Sequence, residues 1–190
     1  GENVFGSVLS REQKSKCPHC QVKHKKNDEE SLEQLRGWAE KGKAWAQASL
    51  GNDYKFGSNG VEQSEEKAIE YFKKAIQQGD PNAMDDLAYM YYHGKGVTKS
   101  IEKAIELFAS AAHQGHGSAQ YAFGLMYAKG DGVDQSNELA REWWVKAAVQ
   151  DHEEALQELQ KLDRNEGRTT PTILCCSTCG KPKTPLRPLK

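Results

Sequence analysis

Between residues 21 and 174 the chain contains no cysteine; its five, Cys17, Cys20, Cys175, Cys176 and Cys179, crowd at the two ends. A disulfide framework spreads its cysteines through the fold, so this chain is not built on one. Asn-x-Ser/Thr acceptor sites are absent as well, and an intracellular, reducing compartment, cytoplasmic or nuclear, is the expected location. No apolar run approaches the roughly 18–20 residues a membrane-spanning helix needs, and no signal-peptide pattern opens the chain. It begins at Gly1 rather than Met, which reads as a processed or cut-out piece. Net charge is nearly nil: 26 Lys and Arg stand against 27 Asp and Glu, giving −1, which argues against a DNA-wrapping protein or a strongly basic membrane binder. Apolar residues are 37% and charged residues 28% of 190, a lean mixture that suits a thin, surface-rich architecture better than a thick core.

Catalytic constellations are missing too. The six histidines, His19, His24, His93, His113, His116 and His152, form no His-Glu-x-x-His pair, and neither Gly-x-x-x-x-Gly-Lys-Ser/Thr nor Gly-x-Ser-x-Gly occurs. His113 and His116 read as residues at a helix end, where a cation is favoured. His24 after Cys20 lacks a fourth ligand partner.

What is present is a repeat of 36 residues. Ala46…Leu50-Gly51…Tyr54, Ala83…Leu87-Ala88…Tyr91 and Ala119…Phe123-Gly124…Tyr127 align, each followed by a glycine-rich stretch ending Gly60-Val61, Gly96-Val97 and Gly132-Val133. A second apolar block follows each: Ala68, Tyr71, Phe72, Ala75; Ala104, Leu107, Phe108, Ala111; Ala140, Trp143, Trp144, Ala147. The spacing of four within Ala46, Leu50 and Tyr54 is one face of a helix. Ala68, Phe72 and Ala75 make the matching face of a second helix, and the glycines between break the chain and permit positive φ. Ser64, Ser100 and Ser136 recur at the same period, placed as N-caps. Gly79 and Gly115 end second helices, and Asp80-Pro81 reads as N-cap plus first-turn proline. Small residues at Gly51, Ala88 and Gly124 let paired helices approach closely. The threefold recurrence of Gly-x-Gly-Val marks it as a structural linker rather than a phosphate loop, and Trp144 is read as packing because Phe108 holds its place one repeat earlier. One hairpin this short cannot bury its apolar face, but a stack can.

These positions resemble the Sel-1-like repeat, a relative of the tetratricopeptide repeat, over about residues 43–160. Ala88 for Gly and Asp151 for the closing Gly are its departures. The resemblance implies an all-α, right-handed helical-hairpin solenoid of three complete repeats with capping helices and poorly ordered termini. The domain reading is a basic segment at 1–28, the solenoid at 29–163 and a tail at 164–190. Ser31-Leu-Glu-Gln34 reads as a capping box opening a helix. Leu35, Trp38 and Ala39 look like the second helix of an incomplete repeat, and Ala155 and Leu159 like a fourth first helix. In tetratricopeptide-type superhelices the first helices line the concave face. Carried over residue by residue, the inward positions are Ala48, Asp85 and Tyr121; Asn52, Tyr89 and Leu125; Lys55, Tyr92 and Ala128. They imply a groove for a protein or peptide, with Tyr89 and Tyr92 as its hot spot.

The ends carry half-sites. Cys17-Pro-His-Cys20 resembles the closing ligand pair of a RING-type finger, and Cys176-Ser-Thr-Cys179 the opening pair of a MYND-type finger. The resemblance implies zinc held by these four cysteines in intact fingers. Tetrahedral zinc commonly takes two such pairs, and each end supplies one, so unligated thiols or a single zinc shared by both ends are the alternatives. Cys175 is left over. The Pro182–Pro188 stretch fits either the spacer of such a finger or a polyproline ligand. The implied role is a non-catalytic scaffold or adaptor for a protein partner, with no nucleic-acid or membrane partner. The rival is the substrate-selecting part of a RING-type ubiquitin ligase. Hydrolase activity, ascribed to some cysteine-rich proteins of this kind, is disfavoured because no repeat here carries a cysteine.

Overall fold

The computed structural model describes residues 28–167, and among these it shows eight α-helices and no strand. They are α1 (Asp28–Glu40), α2 (Ala44–Phe56), α3 (Glu65–Ile76), α4 (Pro81–His93), α5 (Ile101–His113), α6 (Gly117–Lys129), α7 (Asn137–Val149) and α8 (Glu153–Asn165). The four cysteines read as zinc ligands, the proline-rich stretch and the order of the termini lie outside the described residues.

Local chemistry sets the boundaries. The side chains of Ser64, Ser100 and Ser136 accept from the backbone N–H of Lys67, Lys103 and Leu139, capping α3, α5 and α7. Asp80 accepts from Ala83 N ahead of Pro81, as its type and place require. Gly57, Gly94 and Gly130 end the first helices in the left-handed conformation. Repeat one accommodates its extra loop residue through Asp53, whose Oδ1 accepts from Ser58 Oγ at 2.9 Å and Asn59 Nδ2 at 2.8 Å. One boundary departs from expectation. Helix α1 begins at Asp28, so Ser31 lies inside the helix and opens no capping box. Leu32 is buried under the Gly60–Val61 loop and shares a stripe with Leu35 and Ala39, which draws that turn into the helix.

The hairpins pair α2 with α3, α4 with α5 and α6 with α7; α3 then meets α4, α5 meets α6, and α7 meets α8, with a further contact from α2 to α4. Helix α1 packs on α2 as a second helix does, and α8 on α7 as a first helix does. The expected caps are therefore in place, and the architecture is a helical-hairpin solenoid. Its core is the repeated set: Ala46, Ala83, Ala119 and Ala155 with Leu50, Leu87, Phe123 and Leu159 from the first helices, and Phe72, Phe108 and Trp144 with flanking alanines from the second. Trp144 is core, held also by Nε1 donating to Tyr121 O at 3.2 Å. Trp143 is core as well, its ring 5.3 Å from Phe123 and 5.1 Å from His113. Close approach is real at Gly51 and Gly124. A Cβ there would lie 2.7 Å from the Phe72 ring and 2.5 Å from Trp144 Nε1.

Polar clamps join the hairpins. Gln47 Nε2 donates to Ala39 O and accepts from Gln78 Nε2 at its Oε1; two repeats on, Gln120 donates to Ala112 O and accepts from Gln150. These buried amides are satisfied at both ends, so they add register without an unpaired polar group.

Candidate functional site

The first helices α2, α4 and α6 present a common face. It holds two adjoining clefts, of about 380 and 350 Å³. The first lies among Trp45, Ala48, Asn52, Asn82, Asp86 and His116, the second among Tyr89, Tyr92, Tyr121, Leu125, Lys129 and Asp131. Asp85 and Ser118 line both, so the two form one groove. Seven of the nine inward positions named above line it: Ala48, Asn52, Asp85, Tyr89, Tyr92, Tyr121 and Leu125. Lys55 lines neither cleft. Its Nζ donates to Asp86 Oδ1 at 2.7 Å and stands 5.1 Å from the Tyr89 ring. Ala128 packs with the C-terminal core cluster instead.

The missed lining has a simple signal. Trp45, Asn82 and Ser118 are one rung of equivalent positions and Ser49, Asp86 and Ala122 another; of a third rung, Phe56, His93 and Lys129, only the last two line the groove. They stand three or four residues from the predicted positions, hence on the same helical stripe. Asp86 is the most consequential: its two oxygens hold Asn52 Nδ2 at 2.9 Å and Lys55 Nζ. In the second cleft Tyr92 OH donates to Asp131 Oδ2 at 2.6 Å, tying α4 to the loop after α6. That bond, with burial, holds the Tyr92 hydroxyl above its ordinary range.

His116 corrects the expectation of a helix-end cation. It caps the start of α6, and its Nδ1 accepts from Ala119 N at 3.3 Å while Nε2 faces Asn82 Oδ1 at 3.1 Å. An amide N–H only donates, so Nδ1 is unprotonated there. A neutral imidazole suits a helix N-terminus, and burial lowers its pKa. His113 does stand at the end of α5, bonded to Ala109 O at 2.7 Å, as expected.

Asp85 sits in the groove floor with 22% of its side chain exposed; His116 Nδ1 is 3.9 Å away. Burial first, then the neighbouring Asp86 carboxylate, push its pKa from 3.8 up to about 7, against an opposing pull from Lys55. A raised folded-state value means stability is lost as pH climbs from the unfolded value through about 7. The full shift is worth about 4 kcal/mol, and partial exposure reduces that to about 2. Asp85→Asn should therefore stabilise the chain by about 2 kcal/mol at pH 8 and by almost nothing at pH 4. Urea unfolding at the two pH values measures this, and an equal effect at both rules out the assignment.

No group of three or more His, Cys, Asp and Glu able to hold a metal occurs among the described residues. No described helix is long and apolar enough to cross a membrane. The fold and groove define an αα-hairpin solenoid of the kind that serves as an interaction scaffold. Residues 46–80, 81–116 and 117–156 each match the Sel1 repeat, and the chain belongs to the Sel1 repeat family. Proteins of this family are generally non-catalytic and mediate protein–protein contacts.

Among solved structures, a Sel1 repeat protein from Oxalobacter formigenes is 37% identical, covering 69% of this chain and 98% of that one at a TM-score of 0.62. The protective antigen c5321 of uropathogenic Escherichia coli strains, which displays an SLR fold, is 33% identical, covering 76% of this chain and 31% of that one at 0.69. Cysteine rich protein B (hcpB) of Helicobacter pylori shares the fold alone, at 22% identity and TM-score 0.55 over 70% of this chain and 96% of that one. In sequence, 72 residues are 33% identical to the ERAD-associated E3 ubiquitin-protein ligase component HRD3A of Arabidopsis thaliana, which is 38% of this chain and 11% of that protein.

Proposed function

We propose that this chain is a non-catalytic adaptor that holds a protein or peptide partner along the face of α2, α4 and α6. One observation carries the reading. Core positions repeat nearly unchanged from hairpin to hairpin, whereas the groove rungs do not: Trp45, Asn82, Ser118; Ala48, Asp85, Tyr121; Asn52, Tyr89, Leu125. Packing asks the same of every repeat. A surface that differs rung by rung, with aromatics over two adjoining clefts, suits a specific ligand rather than a solvated helix face.

Replacing both Tyr89 and Tyr92 by Ala should reduce partner capture at least tenfold, since buried aromatic anchors each contribute about 2 kcal/mol or more. Tyr89 is 40% exposed, whereas Tyr92 is half-buried with its hydroxyl on Asp131, so circular dichroism checks that the double variant keeps its helices. Quantitative mass spectrometry of proteins captured by the wild type, the double variant and a distant-surface variant, Leu139→Ala, decides it. An identical set on all three sinks the proposal.

A second reading has its own support. The stretch similar to a ubiquitin-ligase component, together with the Cys17–Cys20 and Cys176–Cys179 pairs, supports service as the substrate-selecting part of a RING-type ligase. Each pair offers two of the four thiolates a structural zinc needs, so this reading requires either further ligands for each pair or one zinc shared by both. Metal content of the purified chain tests the shared-zinc arrangement: one zinc per chain, lost in Cys17→Ser, is its signature.

A further inference from the structure

The groove carries a carboxyl, Asp85, to which no cation among the described residues is bonded. Three groups bear on the Asp85 carboxyl. Asp86 is a second carboxylate, already bound by Asn52 and Lys55. Lys55 is engaged with Asp86 at 2.7 Å. His116 turns an acceptor nitrogen towards Asp85 and keeps that nitrogen for the Ala119 amide. Asp85 is thus an acid in a half-buried pocket whose neighbours are either acidic, occupied or neutral. Its raised pKa is the energetic trace of that arrangement. Beside it stands Trp45, 41% exposed and lining the same cleft, an open indole of the type that accepts a cation over its face. On the other side of Asp85 the groove turns apolar, with Tyr89, Tyr92 and Leu125.

The spacing of these two halves matches an extended peptide. Asp85 and Tyr89 are one helical turn apart, about 6 Å along the axis of α4. Residues i and i+2 of an extended chain are about 6.6 Å apart and point to the same side. Resting on the adaptor reading above, we propose that the partner is an extended peptide presenting an Arg or Lys to Asp85 and a large apolar side chain, two residues away, to the Tyr89–Tyr92–Leu125 cleft. The bound cation ionises Asp85 and forms a charge-assisted hydrogen bond in a partly desolvated site. The apolar residue displaces water from the tyrosine cleft.

The probe is a positional-scanning library of acetylated, amidated hexapeptides, screened on the immobilised full chain. The wild type should select Arg or Lys at one position by about tenfold or more over Glu or norleucine, with Leu, Phe or Tyr selected two residues away. Asp85→Asn should lose the basic preference, to within about twofold, while keeping the apolar one. Because that variant is expected to be the more stable protein, the loss is not one of folding. Tyr92→Ala should show the reverse pattern. If wild type and Asp85→Asn select the same apolar residues with no basic preference, the charge inference fails and the adaptor reading stands. If the groove selects acidic residues, or sedimentation shows it occupied by a second copy of the chain, the inference is overturned. If no library position is selected and Tyr89→Ala/Tyr92→Ala captures the same proteins as wild type, both fall.

Discussion

Arg141→Ala is expected to release α8 from the end of the solenoid. The guanidinium forks across two carboxylates, Nη1 on Asp163 Oδ1 and Nη2 on Glu166 Oε2 at 2.5 Å. Asp163 is 1% exposed, so removing Arg141 leaves a carboxylate buried with no cation. That costs about 3–5 kcal/mol when a buried pair is broken from one side. The loss is capped, however, by the free energy with which α8 docks, since α8 rests on α7 alone among its principal contacts. Hydrogen exchange should therefore show α8 losing protection while α2 to α6 keep theirs.

The repeat suggests the rescue. Positions 141 and 163 correspond to Ile105 and Tyr127, and before them to Ile69 and Tyr91. Where an earlier hairpin would place Ile and Tyr, the last one places an ion pair. Arg141→Ile with Asp163→Tyr should restore the apolar solution and match or exceed wild-type stability, as buried ion pairs often do when replaced by packed apolar residues. A cost for Arg141→Ala below about 0.5 kcal/mol, with α8 still protected, removes the argument.

That pair also shows what the sequence makes legible and what it conceals. Caps and core were readable because every repeat meets the same physical demand: a serine oxygen for an orphan N–H, an alanine where helices touch, a ring opposite the small residue. Three copies at one offset turn weak local signals into a strong one. The groove was legible only in part. Ala48, Asn52, Asp85, Tyr89, Tyr92, Tyr121 and Leu125 follow from which way a first helix faces. Trp45, Asp86 and His93 were missed because three positions per helix were carried over when the stripe is wider. The state of Asp85 was out of reach, since it depends on burial and on which carboxylate Lys55 chooses. His116 misled because a helix end has two signs: two residues decide whether it finishes α5 or begins α6. The start of α1 misled similarly, since Ser-x-x-Gln fits a capping box equally well inside a helix that begins earlier.

Phe72→Ala should be the most damaging single truncation in the first hairpin, and its partner should reverse sign with it. Phe72 is fully buried, 0% exposed, and its loss costs about 3–5 kcal/mol from burial and the cavity left behind. The void opens directly against Gly51, whose hypothetical Cβ would stand 2.7 Å from ring carbons Cδ1 and Cε1. Gly51→Ala alone therefore overpacks, at about 1–3 kcal/mol, and recovers only about 1 from helix propensity. In the Phe72→Ala background the clash is gone, the propensity gain remains, and the methyl occupies part of the void. There Gly51→Ala should stabilise by about 1 kcal/mol, a coupling on the order of 2. Repeat two shows that the alternative outcome is physically available. It carries Ala88 opposite Phe108, which is 5% exposed where Phe72 is 0%, so a ring can yield to a methyl. If Gly51→Ala stabilises in both backgrounds by urea unfolding, the first hairpin yields in the same way, and glycine at the crossing reflects no steric need. If the sign reverses, helix contact at that crossing is set by the bare backbone of Gly51 against a ring with nowhere to move.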